Sequence, residues 1–197
     1  IKQISKESYE CRFRIRNVRD ACSILLMSDE HWNNKHCDRR VLKEHHEEAV
    51  KKGAPIFKFG DTLCLMQGRW DKRKSESELR PEHRGSDYLN KVKNTAVDWY
   101  KPYASNLALI TRGNHEESII FKHDYDILQE LTKELGCHYG NYRGFVRFVF
   151  EIPNRGVTSF TLCWHHGYGG GGEITRGMID NSRTRGQYIA DVYYSGH

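Results

Sequence analysis

Six side chains that can bind a metal ion follow one another along the chain, each where a short apolar segment gives way to a polar one. They are Asp29, His31, Asp61, Asn114, His166 and His197. Carboxylate, imidazole and amide donors without paired thiolates suit divalent manganese, iron or zinc. Because the loops that leave the strands of an α/β sheet can meet at one edge, we expect these donors to converge.

The spacing of these donors is suited to a pair of cations. Asp29 and His31 are two residues apart, so both can reach one ion from the turn that leaves a strand. Asp61 follows Gly60, whose small size lets a carboxylate approach closely and bridge two ions. Two cations about 3.5–4 Å apart can clamp a phosphate and turn a water into a nucleophile near neutral pH.

Five short motifs contain these donors, in the order Ser28-Asp29-Glu30-His31, Gly60-Asp61, Gly113-Asn114-His115-Glu116, His165-His166-Gly167 and Gly196-His197. Together they resemble the calcineurin-like metallophosphoesterase superfamily, from Asp29 through His197. Met66-Gln67-Gly68-Arg69 and the glycine run at 169–172 are similar to members from bacteriophage and bacteria. The resemblance implies an α/β fold, a four-layer α/β/β/α sandwich with mixed sheets. It also implies hydrolysis of a phosphomonoester or phosphodiester by a hydroxide that two divalent ions generate.

The resemblance assigns a role to each site residue. Asp61 would bridge the two metals; Asp29 and His31 would complete the first site. The second site would add Asn114, His166 and His197. His115 would be the general acid or a phosphate contact, with Glu116 orienting its imidazole. The residues expected to contact substrate are Asn114, His115 and Arg112.

Three features depart from the family pattern. The family closes with Gly-His-x-His, whereas this sequence stops after His197, so we expect a fragment that lacks the last ligand of the first metal. Cys64 stands three residues after Asp61, where many members have Asp or Asn, which changes a hydrogen bond behind the metal. His165 and His166 are adjacent, and His166 is chosen because the family ligand directly precedes a glycine.

The composition is that of a single globular domain over residues 1–197. Apolar residues make up 38% and charged residues 29%, and no apolar segment approaches the roughly 20 residues of a membrane span. The net charge of +5 suits a phosphate-bearing substrate but is also ordinary surface chemistry. The six cysteines form no Cys-x-x-Cys pair and indicate reduced thiols of an intracellular protein. Together with the resemblance to phage and bacterial members, this implies a cytoplasmic location in a bacterial cell or phage-infected host.

Alternating strand and helix patterns predict the elements that carry the motifs. Buried strands are expected at 23–28, 55–59 and 107–111, a half-exposed strand at 12–18, a hairpin of 145–152 and 157–164, and a last strand at 191–195. Helices are expected at 38–52, 87–99, 124–135 and from 175 to about 188. Within the first helix, His45-His46-Glu47-Glu48 is expected to face solvent.

Residues 62–102 interrupt this alternation like an insertion and mix basic residues with aromatic ones. Such a segment could contact nucleic acid, since cations follow a phosphate backbone and rings stack on bases, or it could cap the site. Two other functions therefore stay open: a DNA or RNA nuclease of the same fold, and a nucleic-acid-binding module without catalysis. The sequence leaves the oligomeric state open.

Overall fold

The chain forms an α/β fold with parallel and antiparallel strand pairing, as predicted, in a computed structural model that describes residues 1–17, 19–66, 76–167 and 178–197. The strands are β1 Lys2–Ser5, β2 Ser8–Arg14, β3 Leu25–Met27, β4 Ile56–Phe59, β5 Leu107–Thr111, β6 His138–Gly140, β7 Arg143–Ile152, β8 Gly156–His165 and β9 Val192–Ser195. The helices are α1 Arg39–Lys51, α2 Tyr88–Tyr100, α3 Asn114–His123, α4 Ile127–Leu135 and α5 Met178–Gln187. Short 3₁₀ turns occupy Glu76–Glu78, Pro81–His83 and Lys101–Tyr103. Among the described residues, no helix has both the length and the apolarity to cross a membrane.

Two sheets pack face to face. One is parallel, with strand order β3-β4-β5-β6, and the other is mixed, with order β1-β2-β7-β8-β9. Aromatic rings fill the space between them: Phe57 of β4 lies 5.3 Å from Phe148 of β7, and Phe59 stacks 5.3 Å from Trp164 of β8. Strand β4 is buried along its whole length, which explains its continuous apolar character apart from Lys58.

The opposite face of the parallel sheet is covered by α1, α2 and α4. The side chain of Asp38 caps α1 by accepting hydrogen bonds from the amides of Arg40 and Val41. Gly136, with φ +70°, ends α4. Both helix boundaries follow the sequence signals. On the mixed sheet, α5 packs against β9, while Arg12 of β2 is exposed on the outer face.

Several elements differ from the sequence-based expectation. The strand predicted at 12–18 is β2, which ends at Arg14, and Val18 lies outside the described residues. The sequence pattern did not predict β1 and β6, which have only 4 and 3 residues, or α3, which is largely polar. The helix predicted from Asp124 begins at Ile127, because Asp124 adopts φ +50° and ends α3 instead.

The interrupting segment at 62–102 contributes to the helical layer. Helix α2, near the end of this segment, is part of the core, and its Tyr100 is completely buried. The described aromatic rings point inward: Tyr88 accepts a hydrogen bond from Asn33, and Trp99 packs on Tyr100 with ring centres 4.7 Å apart. Residues 67–75, which carry much of the predicted basic character, lie outside the described residues, as do the glycine run and the predicted helix start at 175.

Candidate metal centre

The ends of five strands bring the predicted ligands to one side of the two sheets. Asp29 and Asp61 follow β3 and β4, and Asn114 opens α3 soon after β5. His166 and His197 follow β8 and β9 of the mixed sheet. The three parallel strands β3, β4 and β5 run side by side, so the loops that leave them meet at one edge.

Five of the six predicted ligands form one compact set. One donor atom from each of Asp29, Asp61, His166 and His197 lies within 4.8 Å of the others. The Oδ1 atom of Asn114 is 3.1 Å from Nε2 of His166, which is itself 3.1 Å from Oδ2 of Asp61. Carboxylate, imidazole and amide donors at this spacing could coordinate a divalent cation.

His31 lies beside this set and faces a second group of donors. One of its ring nitrogens is within 4.8 Å of Sγ of Cys64 and of a ring nitrogen of His115. Its ring centre is 4.5 Å from that of His115, and its backbone amide donates to the carbonyl of Asp61 at 3.0 Å. His31 therefore borders the compact set, on the side where His115 stands.

The backbone at the ligands is strained. Asp29, His31, Asp61 and His197 have φ angles of +54°, +44°, +50° and +76°. These four are among seven described non-glycine residues with positive φ, a conformation that side chains with a Cβ avoid. Strain of this kind persists where the surrounding structure imposes it, and it concentrates at functional sites. Here it turns the donors toward one another.

Two buried donor atoms lack a hydrogen-bond partner: Oδ2 of Asp61 and Nδ1 of His31. Nε2 of His166 lies 3.1 Å from Asp61 Oδ2, as an ion-pair contact and not a hydrogen bond. A buried polar atom without a partner costs about 1–3 kcal/mol, which a bound cation would offset. Burial would raise the pKa of the Asp61 carboxyl, but the nearby His166 and His115 imidazoles hold it below its usual value. The donor set therefore fits a divalent cation.

Two glycines make the close approach of the ligands possible. A Cβ on Gly60 would lie 2.2 Å from Nδ1 of His166, and a Cβ on Gly113 would lie 2.1 Å from Oδ1 of Asp61. Gly60 also has φ +91°, which favours glycine. The glycines that precede Asp61 and Asn114 in the motifs thus leave room for the side chains of other ligands.

Substituting Gly60→Ala is expected to disrupt the centre more than an equivalent change elsewhere. The matched control is Gly53→Ala, because Gly53 has φ +61° and nothing within 4 Å of its added Cβ. Both variants should lose about 1–2 kcal/mol of unfolding free energy from the positive φ. Only Gly60→Ala should displace His166 and weaken Mn²⁺ binding, by about 10–100-fold. Urea unfolding and calorimetric titration measure the two effects, and equal metal affinity in both variants would contradict this account.

His115 and Glu116 stand at the N-terminus of α3 but do not contact each other as predicted. The Nδ1 atom of His115 is hydrogen-bonded to the carbonyl of Cys64, so Cys64 rather than Glu116 orients the imidazole. The carboxylate of Glu116 accepts hydrogen bonds from the backbone amides of Asp61, Leu63 and Gly113. The buried Glu116 side chain therefore holds together the loops that carry Asp61 and Asn114.

Burial and nearby charges shift the pKa values of His115 and Glu116 in the metal-free protein. Burial alone would lower the pKa of His115, but its hydrogen bonding with Cys64 and the charge of Asp61 raise that pKa to about 9. Burial, with the Asp61 charge adding to it, raises the pKa of Glu116 to about 7. His115 consequently carries a proton at neutral pH.

The remaining predicted site residues have clear positions. His166 is completely buried and its Nδ1 faces the carbonyl of Phe59 at 3.1 Å, which leaves Nε2 for the centre. In His165, Nδ1 accepts from the amide of Gly167, so the choice of His166 agrees with the geometry. The guanidinium of Arg112 is partly buried and donates to the side chain of Asn141 at 2.5 Å.

A buried polar network, not anticipated from the sequence, lies beneath the loop of Asp29 and His31. Lys58 of β4 is completely buried and forms an ion pair with Glu30, the residue between those two ligands. Tyr100 donates to the second oxygen of Glu30 at 2.6 Å, and Nζ of Lys58 is 2.9 Å from Nε2 of His46. The network ties the ligand loop to the helical layer.

The expectation that His46 faces solvent is wrong. His46 is fully buried and its Nδ1 donates to the carbonyl of Leu42, so Nε2 accepts from Lys58. Burial and the Lys58 charge lower the pKa of His46 to about 4, which keeps the ring neutral. The other three residues of that group, His45, Glu47 and Glu48, are exposed as expected.

A cavity of about 510 Å³ opens beside the centre. Asp29 and His31 line one side, and Asp38, Val41 and residues near the start of α1 line the other. A second cavity, about 460 Å³, lies between β3 and α1 without reaching either donor set. Of these two cavities, the first gives access to the predicted ligands Asp29 and His31.

No protein-family model matches this chain, and a search of curated proteins finds no match. The functional argument consequently depends on the site geometry described above.

Proposed function

We propose that this protein is a metal-dependent phosphoesterase that hydrolyses a phosphomonoester or phosphodiester. One observation supports it above the others: donors from Asp29, Asp61, His166 and His197, spread over the chain, lie within 4.8 Å of one another. Asn114 adds its amide oxygen to this set, and His31 stands at its border. We further propose that α5 belongs to a fourth layer, so that the fold is the α/β/β/α sandwich of the calcineurin-like metallophosphoesterases.

The donor chemistry suits a pair of hard or borderline divalent cations, Mn²⁺, iron or Zn²⁺. Bound there, the two cations would supply an activated water and neutralise negative charge on the phosphate. Asp61 lies between the two donor groups, with Oδ1 accepting from the amide of His115 and Oδ2 directed at His166, and would bridge the pair. His166 would contribute Nε2, because Nδ1 is held by the Phe59 carbonyl.

His115 is the group best placed to protonate the leaving oxygen. Because Nδ1 donates to the carbonyl of Cys64, the proton available for transfer sits on Nε2. That atom is 3.7 Å from Oδ2 of Asp61, so a phosphate held at the centre would be within its reach. Asn114, with its amide beside His166, would contact the same phosphate.

A nucleic-acid-binding module without catalysis receives less support. The described aromatic side chains of the 62–102 segment pack into the helical layer rather than offering faces to bases. Several exposed arginines are paired with carboxylates, for example Arg12 with Glu10 and Glu151. A nuclease remains within the proposed reaction, since DNA and RNA are phosphodiesters.

The test is hydrolysis of p-nitrophenyl phosphate and of bis-p-nitrophenyl phosphate by the full chain with Mn²⁺. We expect release of p-nitrophenol from at least one ester, its loss in excess EDTA and its recovery when Mn²⁺ is restored. A plasmid and an RNA oligonucleotide, assayed in parallel, would identify a nuclease. Hydrolysis that persists in EDTA would overturn the proposed mechanism, as would the absence of hydrolysis of every substrate both with Mn²⁺ and with Fe²⁺.

A further inference from the structure

The donor group beside the proposed metal pair contains a thiol that the phosphoesterase assignment does not use. A ring nitrogen of His31, a ring nitrogen of His115 and Sγ of Cys64 lie within 4.8 Å of one another. Cys64 is 4% exposed, and it sits in the loop that follows Asp61. Two imidazoles and a thiolate are a donor set that binds zinc in proteins.

The geometry of this group is close to that of a loaded site. With Zn–S near 2.3 Å and Zn–N near 2.0–2.1 Å, tetrahedral donors stand roughly 3.4–3.7 Å apart. Because the three atoms lie within 4.8 Å of one another, any two of them would have to approach by at most about 1.4 Å. Nδ1 of His31 is buried without a hydrogen-bond partner, so coordination would satisfy it.

The neighbours of Cys64 hold it in place for this role. Its backbone amide donates to the side chain of Asn33 at 2.6 Å, and its Sγ accepts from Nδ2 of Asn34 at 3.5 Å. A hydrogen bond donated to sulfur stabilises a thiolate. Its carbonyl fixes the His115 ring, so Nε2 is the nitrogen of His115 that can turn to a cation.

We propose that His31, Cys64 and His115 form a site for one thiophilic divalent cation, with zinc as its expected occupant, and that filling it inhibits the enzyme. On binding, the S–H bond breaks, an S–Zn bond forms and the proton passes to solvent. Nε2 of His115 likewise loses its proton to solvent and can no longer protonate a leaving group. His31 is withdrawn from the first metal of the pair. The inhibitory part of this proposal rests on the proposed function; the binding part does not.

Cobalt provides a test that does not depend on activity, because thiolate ligation of Co²⁺ produces a near-ultraviolet charge-transfer band. We expect the full chain titrated with Co²⁺ to develop this band, and Cys64→Ser to lose it. The control Cys163→Ser, at a buried cysteine of β8 in the mixed sheet, should retain it. Asp61→Asn should also retain it, since that change affects the proposed metal pair and leaves the three donors intact.

Two results would overturn the site: Co²⁺ binding by the wild-type chain without the band, or a band that survives Cys64→Ser. If Cys64→Ser fails to fold, as judged by circular dichroism, ¹¹³Cd NMR of the wild-type chain decides. A single sulfur ligand moves the cadmium resonance downfield of the range for nitrogen and oxygen ligands alone. A bound cadmium that resonates within that range would then reject the site.

Inhibition is tested by adding Zn²⁺ to the Mn²⁺-loaded protein. We expect Zn²⁺ to inhibit ester hydrolysis by the wild-type chain and by Cys163→Ser. For Cys64→Ser, the Zn²⁺ concentration that gives half-inhibition should be at least about tenfold higher, because one good ligand is lost. Equal inhibition of the wild type and Cys64→Ser would reject the regulatory role. If no ester is hydrolysed at all, the proposed function fails while the cobalt band still decides whether the site exists.

Discussion

Replacing Asp61 with asparagine is expected to reduce Mn²⁺-dependent ester hydrolysis by about 1,000-fold or more, since several kcal/mol of charge stabilisation are lost and each 1.4 kcal/mol is tenfold. Asp61 is 1% exposed and stands between the two donor groups, with His166 on one side and His115 on the other. An amide keeps the oxygen that accepts from the His115 amide but removes the charge and one of the two oxygens proposed to bridge the metals. Activity and metal stoichiometry should therefore fall together.

Asparagine is preferable to alanine here, because Asp61→Ala, although also expected to abolish activity, removes the acceptor of that backbone hydrogen bond as well. Asp98→Asn on the exposed side of α2 is the control for the same chemical change. Metal-free melting temperatures check the fold, and the rise in melting temperature on adding Mn²⁺ should be present in the control and absent in Asp61→Asn. A variant that keeps near-normal activity with a full metal complement would refute the bridging role.

The sequence was sufficient to predict the position of Asp61 for a definite reason. A buried strand such as β4 is a continuous apolar run, and a glycine with an acidic residue at its end marks where the backbone must turn. The same reasoning placed Asn114 after β5 and His166 after β8. Strand ends are local features of the chain, so the linear sequence is enough to predict them.

Pairings between distant elements were not visible in the sequence. His45 and His46 are adjacent on α1, and only the rotation of the helix against the sheet decides that His46 is buried. Lys58 interrupts an apolar strand, but its partner Glu30 lies 28 residues earlier in the chain. The placement of Cys64 against His31 and His115 likewise depends on how three loops pack, which periodicity cannot encode.

Lys58→Met is expected to cost about 3–5 kcal/mol of unfolding free energy, because it leaves the Glu30 carboxylate buried without its cation. Both side chains of the pair are almost fully buried, and the Lys58 ammonium also lies 4.5 Å from the Tyr100 ring and donates to His46. Burial lowers the pKa of Lys58, and the Glu30 charge opposes that shift. Each of these interactions disappears with the amine, while methionine fills most of the volume.

The exposed ion pair of Lys52 and Glu48 on α1 provides the matched control, and Lys52→Met should cost less than about 1 kcal/mol. In the double variant Lys58→Met with Glu30→Gln, the second change removes the unpaired charge, so part of the loss should return, by at least about 1 kcal/mol. Because Glu30 separates Asp29 from His31, Lys58→Met should also reduce the stabilisation gained from Mn²⁺, whereas Lys52→Met should not. Urea unfolding with and without Mn²⁺ measures both quantities. A Lys58→Met variant as stable as Lys52→Met would show that the buried pair does not hold the ligand loop.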